Sequence, residues 1–207
     1  MSRLFESNST GINILNTICD IIILNFLFII SCLPVFTIGA SLSALYYVNL
    51  KIVRNEAPAV WKAFWKAFRQ NFKQATGIWL VFFFILIILA VDYKLFPTIF
   101  AGFSGIMRLI ICIFLLFIFC LLIYVFPIIA RFVCTGRQAV KNAYLMTFGH
   151  FPYTVLLLIL HGIFPALCLL SSKTLVTISG FFLVCGFALI SLLCSCIFNH
   201  IFKRYEF

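Results

Sequence analysis

Asp20 is the residue of this 207-residue chain whose chemistry first asks for an explanation. It lies in an apolar run from about Ile14 to Leu33 that is long enough to cross hydrocarbon. A carboxylate facing lipid near mid-span costs several kcal/mol, so it must face protein or water. Laid on a helix at about 100° per residue, Asn13, Asn16, Thr17, Asp20 and Ser31 share one arc of about 100°. That stripe should face other helices, while Asn25 points elsewhere and should bond a second neighbour. Asn16, Asp20 and Asn25 are therefore the candidate intramembrane polar site. Two chemistries suit it. One is proton or cation coupling along a transport path; the other is a structural carboxylate that bonds backbone or hydroxyl groups and holds the first two spans together.

The remaining titratable residues offer little catalysis. Acidic residues total five and histidines three, and His150, His161 and His200 have no common spacing. The nine cysteines fall mostly in or beside apolar runs, without a Cys-x-x-Cys pair, as small apolar side chains do. No nucleotide-binding loop, His-Glu-x-x-His or Gly-x-Ser-x-Gly occurs. An intramembrane enzyme needs at least two convergent titratable groups, and only Asp20 qualifies. The expectation is no catalytic residue, no metal, no cofactor and no enzyme activity.

The elements that must position Asp20 follow from composition. With 65% hydrophobic and 10% charged residues, the chain reads as an all-α, polytopic membrane helical bundle, a single domain over 1–207. Its long apolar runs do not suit the alternating strands of a β-barrel. Pro34 ends the first span. The run 35–49 is short, but Gly39 with Ser43 and Ala40 with Ala44 repeat the small-xxx-small spacing that lets helices approach closely. Pro34, Gly39, Ala40, Ser43 and Ala44 thus form a predicted packing seam against the first span. The same run also fits a re-entrant or interfacial helix.

Pro58 then opens VWKAFWKAFRQNFKQA, with Trp61, Phe64, Trp65, Phe68 and Phe72 on one stripe. Lys62, Lys66, Arg69 and Lys73 form a second stripe about 110° away. The pattern predicts a helix lying in the headgroup region, aromatics toward the membrane and cations on anionic lipid headgroups. Spans follow over 77–91 (extending toward 100), 105–130, 153–170 and 175–198, with a second amphipathic segment after Arg131. Ala67-Phe68 and Phe72 align with Ala143-Tyr144 and Phe148 at a constant offset, a weak echo relating 60–100 to 137–171. The expected architecture is six spans, or five if 35–49 does not cross, plus two interfacial amphipathic helices. Most cations of the +10 net charge flank one side of these spans. They place loops 50–75 and 131–151 and the C-terminus in the cytoplasm, and suggest topology and lipid contact instead of nucleic-acid binding. Arg3 and Glu6 cancel in the first residues, so no cleaved signal peptide is expected.

Asp20 with Leu24-Asn25, Leu33-Pro34 to Thr37-Ile38-Gly39-Ala40, Ala44-Leu45-Tyr46, Lys51 and Arg54-Asn55-Glu56 form a recognisable series, continued by the run from Phe68 to Thr76. Together these resemble the YesL-like family of bacterial membrane proteins of unknown function (DUF624), most specifically over residues 20–76. The resemblance implies a multi-pass protein of the bacterial plasma (inner) membrane. Family members are often encoded beside carbohydrate ABC transport systems and glycan-degrading enzymes. It therefore implies an accessory or regulatory component of carbohydrate transport, with an ABC permease or another membrane protein as partner. The alternative is a small autonomous transporter or channel that uses the polar site around Asp20.

Overall fold

The computed structural model describes residues 2–56, 58–99, 104–168 and 172–205, and side chains over 15–56, 58–95, 105–163 and 176–205. Among these residues every regular element is helical. They are α1 (Ser2–Cys32), a 3-10 turn (Val35–Thr37), α2 (Ile38–Val53), α3 (Val60–Ile99), α4 (Ser104–Arg131), α5 (Gly136–Gly149), α6 (Phe151–Cys168), α7 (Ser172–Phe181) and α8 (Phe187–Phe202). A π turn at Phe182–Gly186 joins α7 directly to α8.

Among the described residues five stretches are long and apolar enough to cross a membrane: Leu15–Cys32, Val35–Val53, Val60–Leu95, Gly105–Arg131 and Val176–Phe202. A sixth arises if α5 and α6, bent by 101° at their junction, make one broken span. The C-terminal end of the expected span 153–170 lies outside the described residues. The chain is a multi-pass helical membrane protein.

Pro34 ends α1 as expected, and Thr37 then locks the corner, its hydroxyl donating to the Ser31 carbonyl at 2.6 Å and the Pro34 carbonyl at 2.7 Å. The corner after α2 is closed differently. Asn55 takes a left-handed φ of 57°, which asparagine tolerates better than most residues. Glu56 then turns back to pair with Lys51 (3.4 Å) and Arg54 (3.0 Å).

α2 is the most enclosed helix, with Ala40, Ala44, Leu45, Val48 and Leu50 all nearly inaccessible. Its small-residue seam meets α3, which differs from the expectation that α1 would be its main partner. A Cβ on Gly39 would lie 2.5 Å from the Ala75 carbonyl oxygen and 2.6 Å from Trp79 Cβ, so only glycine permits this approach. Asn71 donates to the Ser43 hydroxyl at 2.9 Å, and Trp79 Nε1 to the Val35 carbonyl at 2.8 Å. Since 39 faces 75 while 43 faces 71, α2 runs antiparallel along the amphipathic half of α3.

That half is not a separate interfacial helix. α3 is one helix of 40 residues, about 60 Å long, and passes through Gly77 without a break. A lone helical glycine costs about 1 kcal/mol relative to alanine, and no proline stands at the junction to stop the helix. Its aromatic stripe turns inward instead of toward lipid. Phe64 is buried with Leu24, Leu45 and Val48, and rings 64, 68 and 72 follow one another at 6.2 and 5.4 Å; of the stripe, Trp61 alone is exposed. Packing on α1 and α2 removes Phe64 from water without the membrane and covers Trp65, Phe68 and Phe72 in part.

Candidate functional site

The buried polar centre of the bundle is built on the π turn. Adding a residue to a helical turn leaves carbonyl and N–H groups without their usual partners four residues away. Asn25 satisfies three of them: Nδ2 donates to the carbonyls of Phe182 (3.1 Å) and Leu183 (2.8 Å), and Oδ1 accepts from the Ala188 N–H (3.0 Å). Asn25 is wholly buried, so these bonds form in a water-poor interior where an unmade bond is expensive. Gly186 belongs to the same turn, for a Cβ there would come within 2.6 Å of the Phe182 ring. Asn49 of α2 grips the next turn, donating to the Ala188 carbonyl (3.2 Å) and to the Ser191 hydroxyl, while its Oδ1 has no partner. Two asparagines thus tie α1 and α2 to the start of α8.

The structure separates the three residues of the predicted polar site. Asn16 and Asp20 share an open notch of about 570 Å³ with Ile52, Asn55 and Pro58. Asn25 lies on the other side of α1, in the clasp just described. The notch adjoins the α2–α3 corner, so Asp20 stands level with the turn that carries Lys51, Arg54 and Glu56. It is partly exposed, in the first half of the apolar stretch Leu15–Cys32. Chemically, the notch offers a carboxylate and two amide side chains to water or to a docking group.

The cations of α3, Lys62, Lys66, Arg69 and Lys73, are all exposed, as are Arg137 and Lys141 on α5. Trp61, Trp65, Lys62, Lys66, Arg69 and Gln70 line a shallow depression of about 700 Å³. These groups share an end of the bundle with the α4–α5 linker, where Gln74 donates to the Cys134 carbonyl at 3.0 Å. Burial pushes the Cys134 thiol above its ordinary range, an effect that its contact with Gln74 partly offsets. At the α5–α6 corner, Thr154 donates toward the carbonyls of Thr147 (3.0 Å) and His150 (3.2 Å) and bonds the Tyr124 hydroxyl at 2.9 Å.

Reading the chain in one dimension missed Asn49, Ser191, Asn71 and Gln74. A polar residue inside an apolar run flags Asn49, yet its partner stands 142 positions away and nothing in the run announces it. The described cysteines are all free, and none lies in a group of three side chains able to hold a metal.

Comparison with curated proteins and with solved structures gives no match. A family model described as "Protein of unknown function, DUF624" matches residues 21–93, which run from Asp20's neighbour on α1 through all of α2 and most of α3, the part of the chain that holds Asn25, the seam and the basic stripe.

Proposed function

We propose that this is a YesL-like protein of the bacterial plasma membrane that acts without catalysis, as an accessory or regulatory component of carbohydrate transport. In this reading its partner is an ABC permease or a comparable membrane complex. Loops 50–75 and 131–151 and the C-terminus then face the cytoplasm, following the bias of the cations. The transport association is an implication of the YesL-like resemblance alone.

The observation that carries the non-transporting reading is the state of Asn25. Its amide is engaged on both sides in bonds between helices, and it is wholly buried. A solute path needs intramembrane polar groups free to exchange partners with the solute. Asn25 is committed to holding helices together, and Asp20 opens to a notch beside the α2–α3 corner.

Purification of a tagged copy from its native host in mild detergent, with mass spectrometry of what accompanies it, tests the proposal. Stoichiometric recovery of permease subunits supports it. Recovery of the protein alone, beside a control complex that survives the same detergent, overturns it. The second reading, a small autonomous transporter, draws on the Asn16–Asp20–Asn55 notch. It requires that Asp20→Asn abolish proton-coupled flux while the protein still accumulates in the membrane. Normal flux in that variant excludes a proton-carrying role for Asp20.

A further inference from the structure

α3 and α5 do not close on one another where the basic and apolar halves of α3 meet. Between them runs a groove of about 1160 Å³. Its lining includes Lys73 of α3 and Arg137 and Lys141 of α5, the latter two four residues apart and so on one face of their helix. Among the described residues no carboxylate lines it. Ile78, Val81, Phe82 and Ile85 of α3 supply its apolar wall. Along α3, Lys73, Gly77, Val81 and Ile85 recur every four residues, which sets the cation, a gap and an apolar wall in one line.

The gap is made by glycine. A Cβ at Gly77 would meet nothing within 4 Å, and a Cβ at Gly136 would lie 3.4 Å from the Ile78 side chain across the cleft. The groove is also held open by design of its frame. Gln74 pins the linker that precedes α5, and Thr135 and Gln138 close a capping box that fixes the first turn of that helix. From Lys73 to Ile85 the groove follows about 18 Å of helix, close to the depth of one leaflet of an about 30 Å hydrocarbon core.

We propose that this groove binds one anionic glycerophospholipid from the adjoining leaflet, its phosphate on Lys73, Arg137 and Lys141 and an acyl chain along Val81 and Ile85. Charge complementarity selects the headgroup, since three cations and, among the described residues, no anion line the groove. The apolar wall selects a tailed ligand over a free anion. The site shares no lining residue with the shallow depression formed by Lys62, Lys66 and Arg69 with Trp61 and Trp65. It stands or falls independently of the accessory reading.

Native mass spectrometry of the delipidated full-length protein, titrated with phosphatidylglycerol, phosphatidylcholine or inorganic phosphate, tests it. One phosphatidylglycerol per chain is expected, with phosphatidylcholine at least about tenfold weaker and no displacement by inorganic phosphate. Gly77→Leu, whose side chain enters open space, should not lower the melting temperature and should remove the bound lipid. Arg137→Gln and Lys141→Gln, both exposed, should each weaken binding about fivefold, and Lys62→Gln with Lys66→Gln and Arg69→Gln should leave it unchanged. Equal binding of phosphatidylcholine, retention of lipid by a folded Gly77→Leu, or equal loss in the Lys62–Arg69 variant would overturn the proposal. So would displacement by phosphate, or a Gly77→Leu variant that keeps its lipid but loses a co-purifying protein. Should Gly77→Leu not fold, the two α5 variants decide alone.

Discussion

The first half of α3 and the α5 segment read almost alike in one dimension, and the bundle treats them in opposite ways. Both are amphipathic, both carry cations, and Ala67-Phe68 and Phe72 match Ala143-Tyr144 and Phe148 in register before an apolar run. Yet α3 continues straight into its apolar half, while α5 stops at Gly149 and the chain turns by 101° into α6. The difference comes down to one residue and what secures it. Pro152 disfavours helical geometry at the residue before it and is tolerated in the first turn of α6, where its missing N–H has no partner to lose. The position in register on α3 is Thr76, which continues the helix. Thr154 then fastens the α5–α6 corner through Thr147, His150 and Tyr124. The hydroxyl of Thr76, although buried, has no partner. An internal echo of sequence therefore does not imply an echo of structure, because a single helix-breaking residue decides whether the amphipathic unit stays in line with its span.

The largest effect should come from transplanting the breaker. Thr76→Pro places in α3 the residue that α5–α6 has in register, and it should destabilise the bundle by about 3 kcal/mol or more. Thermal melts in detergent would read this, and a melt equal to wild type would mean that α3 already bends at its junction.

Next comes loss of the corner's fastening. Thr154→Val removes three hydrogen bonds from a buried site and should cost about 1–2 kcal/mol. Thr76→Val, the same change on the other helix, should be neutral or stabilising, since no bond is lost and a buried hydroxyl becomes a methyl. Similar costs for the two would erase the contrast drawn between the segments.

A smaller, stabilising effect should follow from Gly77→Ala. It replaces a helical glycine that touches nothing, so up to about 1 kcal/mol of stability is expected in α3. Lower stability would show that the junction needs glycine for its backbone conformation.

The smallest effect is a pH dependence confined to the α5–α6 corner. Burial, and secondly the charge of Arg204, hold the His150 imidazole below its usual value of 6.5. The unfolded chain therefore takes up a proton at a higher pH than the folded one. Stability from this group is present above pH 6.5 and falls as the pH drops through 6.5 toward the lower folded value. Melting temperatures at pH 7.5 and 5.5 should differ modestly, and His150→Gln should shrink the difference. A difference that persists undiminished in His150→Gln would assign it to other groups.

How much of this was legible beforehand follows the range of the interactions. Hydropathy alone locates the apolar segments, because each crossing segment must satisfy its backbone bonds within itself and carry its own apolar surface, but it does not show that α3 runs unbroken from Val60 to Ile99. Pro34 as a stop, Gly39 and Ser43 as a close-packing pair, and Lys62 to Lys73 as one stripe are all local statements at helical spacing; α1 ends at Cys32 and the four cations are exposed, but the seam packs on α3, a partner its spacing does not name. The candidate polar site was less legible. Asn16, Asp20 and Asn25 lie within ten residues of one another, yet the notch and the clasp lie on different sides of α1.

What the sequence by itself determined is thus the class of the protein: a single helical membrane chain with a basic end and apolar spans. Tertiary structure alone decided which surface each helix faces. It sent the aromatic stripe of α3 onto α1 and α2, gave the α2 seam to α3, and set Asn25 against a π turn 157 residues away. The physical reason is that periodicity assigns a face to a helix but no partner to a face. In hydrocarbon the apolar surfaces compete on nearly equal terms, so the pairing is settled by close fit and by the few hydrogen bonds that have nowhere else to form.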